Sequence, residues 1–145
     1  MATPCTVERL LGGKATLKTS PRTARDWHVL LEGGLPLGAL DALKRATALS
    51  DAQLASLMGL SGKTLQRARA TRDRLHSVAS DRLFRTARLV ALAGEVLEDQ
   101  ERGIAWLGRA QIGLGGTVPF ALMTTEAGSQ QVEQLLRRIE HGVYA

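Results

Sequence analysis

The run LSDAQLASLMGLSGKTLQRAR, residues 49–69, constrains the fold of this chain more than any other stretch. With Asp51 as the first position of a two-helix unit, Leu54, Met58, Leu60, Leu65 and Ala68 fall where two short helices would face each other and a helix beneath them. Ala55 is small where the helices would cross, and Gly59 stands where the turn needs a left-handed backbone. Ser50 or Asp51 can cap the first helix, and Ser61 the second. The rest of the second helix is polar, and Ser61, Lys63, Thr64, Gln66, Arg67 and Arg69 form a candidate DNA-binding set. Arg and Lys can pair with guanine edges, Gln with adenine, and a Thr methyl with thymine. The pattern is that of a helix-turn-helix; an ordinary helical hairpin with a solvated basic face is the alternative.

The composition surrounding this run asks for helices. Of the 145 residues, 44% are hydrophobic but only 3% aromatic, so Leu, Ala, Val and Ile must build the core of one domain or of two small ones, and the expected class is all-α. The single Cys5 can form no internal disulfide and has no zinc-ligand spacing around it. No apolar run approaches a membrane span and the start does not read as a signal peptide, so a soluble cytoplasmic protein is expected. Charge is uneven: residues 61–88 carry eight Lys or Arg against two Asp, a net +6, whereas residues 89–145 carry four Arg against seven Asp or Glu, a net −3. The basic part can neutralise phosphates. The acidic part suits another partner.

Four segments follow along the chain. Residues 1–24, with two prolines, a Gly pair and little periodicity, read as a flexible arm. Residues 25–76 hold the helix-turn-helix domain, with Trp27 as core or packing anchor and a supporting helix through Leu37, Leu40, Leu43 and Ala46 or Thr47. Residues 77–98 read as a long connecting helix, capped by Ser77 or Ser80, with Leu83, Ala87, Val90 and Leu97 on its apolar face. In residues 99–145, Asp99 can cap a short helix bearing Ile104, Trp106 and Leu107, and Pro119 can begin another. Thr124 or Thr125 can cap a final helix, where Val132, Leu135, Leu136 and Ile139 follow i, i+3, i+4, i+7 spacing before Gly142. Gly113, Gly115 and Gly116 follow no strand and lack the Lys-Ser/Thr of a nucleotide loop, so they read as a tight turn. His28, His76 and His141 stand apart from any metal-ligand spacing and fit solvated or capping roles. No nucleophile–base pair or carboxylate dyad points to an enzyme, a cofactor or a metal.

The second half is similar to the C-terminal toxin-binding domain of the Xre/MbcA/ParS antitoxin family. The residues that carry this are Trp106, the Leu-Gly-Gly-x-x-Pro loop 114–119, the Thr-x-x-Gly of Thr125–Gly128, and Val-Glu-x-Leu-Leu-x-Arg-Ile-Glu-x-Gly ending at Gly142. Residues 34–69 resemble the Xre-type helix-turn-helix that accompanies it. Val118 before Pro119 departs from the family's more usual Thr. The resemblance implies an antitoxin of a type II module that binds a RES-domain, NAD-depleting toxin and obstructs its NAD pocket. It also implies repression of the chain's own operon by operator binding. At or near the toxin contact it places Leu114, Gly115, Gly116, Thr117, Arg137, Arg138, Glu140, Gly142, Val143, Tyr144 and Ala145. A pocket for NAD is expected to be positive, so an acidic segment ending in a carboxylate would complement it. Arg137 and Arg138 fit helix-dipole stabilisation equally well. DNA readers of this kind usually pair on palindromic sites, which implies a homodimer. The competing reading is a stand-alone regulator whose C-terminal domain dimerises or senses a ligand.

Overall fold

A computed structural model describes residues 4–72 and 74–142, the side chains of Pro4 and Cys5 aside. Their regular structure is α1 (Pro4–Leu10), α2 (Gly13–Leu17), α3 (Ala24–Glu32), α4 (Leu37–Thr47), α5 (Asp51–Met58), α6 (Gly62–Thr71), α7 (Ser77–Val96), α8 (Gln100–Leu107), a single 3-10 turn (Ile112–Leu114), α9 (Pro119–Leu122) and α10 (Glu126–Glu140). Among the described residues there is no strand, only one isolated bridge between Gln111 and Thr117. The class is all-α. The chain divides into two units within α7, after Ala87. No helix of the described residues is long and apolar enough to cross a membrane.

The first unit is assembled on α4, whose Ala39, Leu40 and Leu43 are wholly buried. Here the structure corrects the reading of residues 1–24 as a flexible arm. Residues 4–10 and 13–17 are helical and pack on α4, with Val7, Leu10, Leu11 and Leu17 buried. Gly38 permits the approach, since a Cβ there would lie 2.9 Å from Thr16 Cγ2. Helices of seven and five residues cannot persist alone, so packing rather than propensity holds them, and neither is long enough to show a period.

Trp27 on α3 is buried with its ring centroid 4.8 Å from that of Phe84 on α7, which makes it a core residue. The start of α7 is tied down by polar bonds. Buried Ser80 accepts a hydrogen bond from the Leu35 amide at 2.8 Å and donates to the Leu75 carbonyl at 3.2 Å, so it links two loops and does not cap the helix. His76 Nδ1 instead accepts from the Ala79 amide at 3.3 Å. Gly34, at φ 88°, fits beneath Leu75, whose carbonyl oxygen would lie 2.2 Å from a Cβ.

The second unit depends on close backbone packing. A Cβ on Gly103 of α8 would lie 2.5 Å from the Gly94 nitrogen of α7, so the two helices touch backbone to backbone. Leu89, Val90 and Leu92 of α7, Leu107 of α8, Met123, and Val132 and Leu136 of α10 are fully buried within this unit. Thr125 caps α10 by accepting from the Gly128 amide at 3.0 Å, and a Cβ on Gly128 would lie 1.8 Å from the Leu122 carbonyl oxygen. The Thr-x-x-Gly sequence is therefore a helix start packed against α9.

Burial of the N-terminal segment makes Leu11→Ala, at a fully buried position just after α1, cost about 2–4 kcal/mol by denaturant unfolding. A loosely attached arm would leave the unfolding midpoint where it was.

Candidate nucleic-acid and protein interfaces

Helices α5 and α6 are built by their caps. The Ser50 side chain accepts from the Gln53 amide at 3.1 Å while Gln53 accepts from the Ser50 amide at 2.9 Å, a reciprocal capping box. Gly59 ends α5 at φ 72°, and Arg82 of α7 lies so near that a Cβ on Gly59 would collide with its guanidinium. Arg82 Nη1 donates to the Met58 carbonyl at 3.3 Å. Ser61 starts α6 by accepting from the Thr64 amide at 3.1 Å, and its hydroxyl also pairs with that of Thr64 at 2.8 Å. Leu54, Ala55, Leu57, Met58 and Leu65 are buried, while Leu60 and Ala68 are half-buried.

Lys63, Thr64, Gln66 and Arg67 are exposed on α6. At 100° per residue, Lys63, Arg67 and Ala70 lie along the middle of the face opposite Leu65, with Gln66 and Thr64 on its flanks. Such a strip carries two cations, an amide and a methyl group, the side-chain chemistry that reads base edges. Ser61 and Thr64 have part of their hydrogen-bonding capacity engaged with each other at the helix start.

Arg69 is not part of that outward strip. Its guanidinium turns into the unit and pairs through Nη1 with Asp41 of α4 and through Nη2 with Asp51, the first residue of α5, at 2.7 Å. Lys44 of α4 reaches the same Asp51 oxygen at 2.9 Å. The outward expectation for Arg69 fails because position 69 lies beside Leu65 on the helix circumference, where two carboxylates converge. The Arg69 hydrogen bond, and then that of Lys44, hold the Asp51 carboxyl below its ordinary pKa. The hydrogen bonds that Arg69 donates to Asp41 and then to Asp51 hold the guanidinium above its own. Arg69 positions α6 and leaves its neighbours to face outward.

In the second unit, residues 111–117 form a small closed loop. The Gln111 amide donates to the Thr117 carbonyl at 3.1 Å, the Gly115 amide to Ile112 at 3.0 Å, and the Gly116 amide to Gln111 at 2.9 Å. The Gln111 side chain donates to the Trp106 carbonyl at 2.9 Å. Gly115 and Gly116 take φ of 66° and 82° at the exposed bend, while Leu114 and Thr117 are half-buried. The loop borders a groove of about 360 Å³ lined by Gly113, Leu114, Gly115, Gln131, Gln134 and Arg138.

The structure separates the two neighbouring arginines of α10. Arg137 belongs to a chain of ion pairs: Arg88 to Glu133 at 3.0 Å, Arg137 to Glu133 at 3.9 Å, and Arg137 to Glu140 at 3.2 Å. The Arg137 hydrogen bond holds the Glu140 carboxyl below its ordinary pKa. Arg138 is exposed and lines the groove beside the loop. Gly142 follows α10 with φ 74°, its amide donating to Ile139 at 3.1 Å. Val143, Tyr144 and Ala145 lie outside the described residues. Sequence reasoning missed Asp41 and Lys44 as partners of α6, and it missed Ile112, which is 95% exposed on the loop. Only a helical-wheel placement of Arg69 against Leu65 could have pointed to the first of these.

A family model of the antitoxin Xre-like helix-turn-helix domain matches residues 26–88, and a model of the antitoxin Xre/MbcA/ParS C-terminal toxin-binding domain matches residues 92–142. An Antitoxin Xre of Yersinia enterocolitica is 28% identical over 144 residues, covering 99% of this chain and 96% of that protein. An Antitoxin Xre of Photorhabdus laumondii is 25% identical, covering 80% of this chain and 79% of that protein. An Antitoxin Xre of Pseudomonas putida is 36% identical over 63 residues, covering 43% of this chain and 40% of that protein.

The Arg69 bridge sets two expectations. Arg69→Ala should lower stability by roughly 1–2 kcal/mol, between the values for exposed and buried pairs because Asp51 is over a third exposed and water screens it. Arg67→Ala should leave stability unchanged. Because the Asp51 carboxyl is depressed in the folded state, its contribution is complete above its ordinary pKa and is lost as pH falls through the folded value. Unfolding scans from pH 7 to below about pH 4 should therefore show a shallower decline for Asp51→Asn than for the natural chain.

Proposed function

The chain belongs to the Xre/MbcA/ParS antitoxin family, and from that premise we propose that it neutralises a RES-domain, NAD-depleting toxin and represses its own operon. It is an antitoxin of a toxin–antitoxin system, with a helix-turn-helix domain and a toxin-binding domain. The observation that carries the finer reading is the pairing, in one chain, of an exposed polar and basic strip on α6 with a C-terminal unit matched as toxin-binding.

In this reading residues 25–76 bind DNA, residues 77–98 connect, and residues 99–145 bind the toxin. Lys63, Gln66 and Arg67 read base edges, with Thr64 and Ser61 at the phosphate side of the helix start, where free amides and a helix N-terminus favour an anion. A single helix of this kind reads only a few base pairs, so the chain acts on DNA as a homodimer with each copy on one half-site. Toxin contact is assigned to Leu114–Thr117, Arg138 and the residues from Gly142 to Ala145. Arg137 and Glu140 border that contact through their own ion pair. Inhibition needs only that a toxin pocket be obstructed, so the chain is assigned no catalysis and no cofactor.

The direct test is co-expression with the RES-domain gene of the same operon, following growth, cellular NAD and co-purification. The full chain should restore growth and hold NAD constant, and a chain ending at Gly142 should do so less well. No rescue and no co-purification by the full chain would leave a stand-alone regulator as the better account. Lys63→Ala combined with Arg67→Ala should weaken operator binding at least tenfold, since each contact contributes about 1–3 kcal/mol of base discrimination, while neutralisation stays intact. Unchanged operator affinity in that double variant would remove the base-reading role from α6.

A further inference from the structure

Of the exposed large apolar side chains, Val29 is 60% exposed on α3 and Val78 is 53% exposed on α7, both ordinary values for a helix surface. Ile112 is different in degree and in setting. It is 95% exposed at the first position of the 3-10 turn, on a loop whose backbone is closed by its own hydrogen bonds. Gly113 follows it, Gly115 and Gly116 face open space, and the Gln111 side chain before it is turned to the Trp106 carbonyl. A Cβ on Gly113 would lie 2.8 Å from Leu135 Cδ1, so the loop is seated directly on α10. Water therefore surrounds a branched apolar side chain that is 95% exposed and open to a partner.

We propose that Ile112 is the apolar anchor by which the C-terminal unit grips its toxin, entering an apolar cleft on the toxin surface. This rests on the toxin-neutralising reading above and adds to it a residue, a contact chemistry and an orientation. The occupant is the toxin because Ile112 lies inside the segment matched as toxin-binding. Its chain neighbours Gly113 and Leu114 line a groove with Arg138, an exposed cation on the same unit. A toxin surface that also covers this groove should carry a carboxylate facing Arg138. A rigid loop loses little freedom when it docks, so one preorganised side chain at the centre of a contact can dominate its affinity.

The test uses the full chain and the toxin of the same operon, with Ile112→Ala, Ile112→Asp and, as an exposed apolar control in the other unit, Val29→Asp. Because Ile112 touches so little, its variants should keep the unfolding midpoint and the operator affinity of the natural chain. Ile112→Ala should weaken toxin binding on the order of tenfold or more, Ile112→Asp should abolish neutralisation, and Val29→Asp should do neither. If the natural chain neutralises the toxin and both Ile112 variants do so equally, the anchor is wrong while the toxin reading stands. If the Ile112 variants instead change only the oligomeric mass, a second copy of the chain occupies the site and the proposal is overturned. If the natural chain fails to bind the toxin, both the anchor and the reading beneath it fall.

Discussion

One guanidinium, that of Arg69, fixes the orientation of α6 in the first unit. Helix α6 buries a single side chain, Leu65, with Ala68 half-covered. A ten-residue helix is marginal alone, and one buried leucine, worth about 1.5–3 kcal/mol, holds it in place without specifying its rotation. A planar cation bonded to carboxylates on two different helices supplies that direction, because its N–H groups leave in a fixed fork. With Arg69 turned to Asp41 and Asp51, geometry requires Lys63 and Arg67 to point away from the unit. The same contact satisfies Asp51 at the start of α5, where a negative charge also meets the favourable end of the helix dipole.

Local features were legible in the sequence. The caps at Ser50, Ser61, Asp99 and Thr125 each satisfy an amide three residues on, a relation written into the chain order. Helix α10, with Val132, Leu135 and Leu136 buried on one stripe, shows its period plainly. Relations across the sequence were not legible. Arg69 and Asp41 are 28 positions apart, and Leu35 and Ser80 are 45. The two N-terminal helices escaped notice because a five- or seven-residue helix contains too few turns to show a period, and its stability comes from α4. The toxin-binding character of the second unit came from family resemblance; spacing alone would have yielded only a small helical bundle.

Burial also divides that family signature into positions that shape the unit and positions left for a partner. Trp106 and Pro119 are buried, Gly128 is packed under the Leu122 carbonyl, and Thr125 is a cap. These residues build the support. Gly115, Gly116 and Arg138 are exposed on or beside the loop, and Ile112, just before the Leu-Gly-Gly-x-x-Pro motif, is the most exposed large apolar residue among those described. A motif read as one functional string is therefore two interleaved sets, and only accessibility separates them.

The two surfaces also differ in the kind of attraction they can offer. The α6 strip presents long cations on flexible stems in the part of the chain with a net charge of +6, so the attraction it can offer a nucleic acid is largely coulombic and falls as salt rises. The 111–117 loop presents a short branched hydrocarbon on a closed backbone, in a part of the chain with a net charge of −3. Its attraction depends on removing apolar surface from water, which salt does little to screen. The contrast follows from backbone economy: each segment satisfies its own amides, through Ser61 in one and through the Gln111–Thr117 bridge in the other. The side chains are thereby free to face outward, so the chemistry of Lys63 and Arg67 on one surface and of Ile112 on the other decides what kind of partner each can hold.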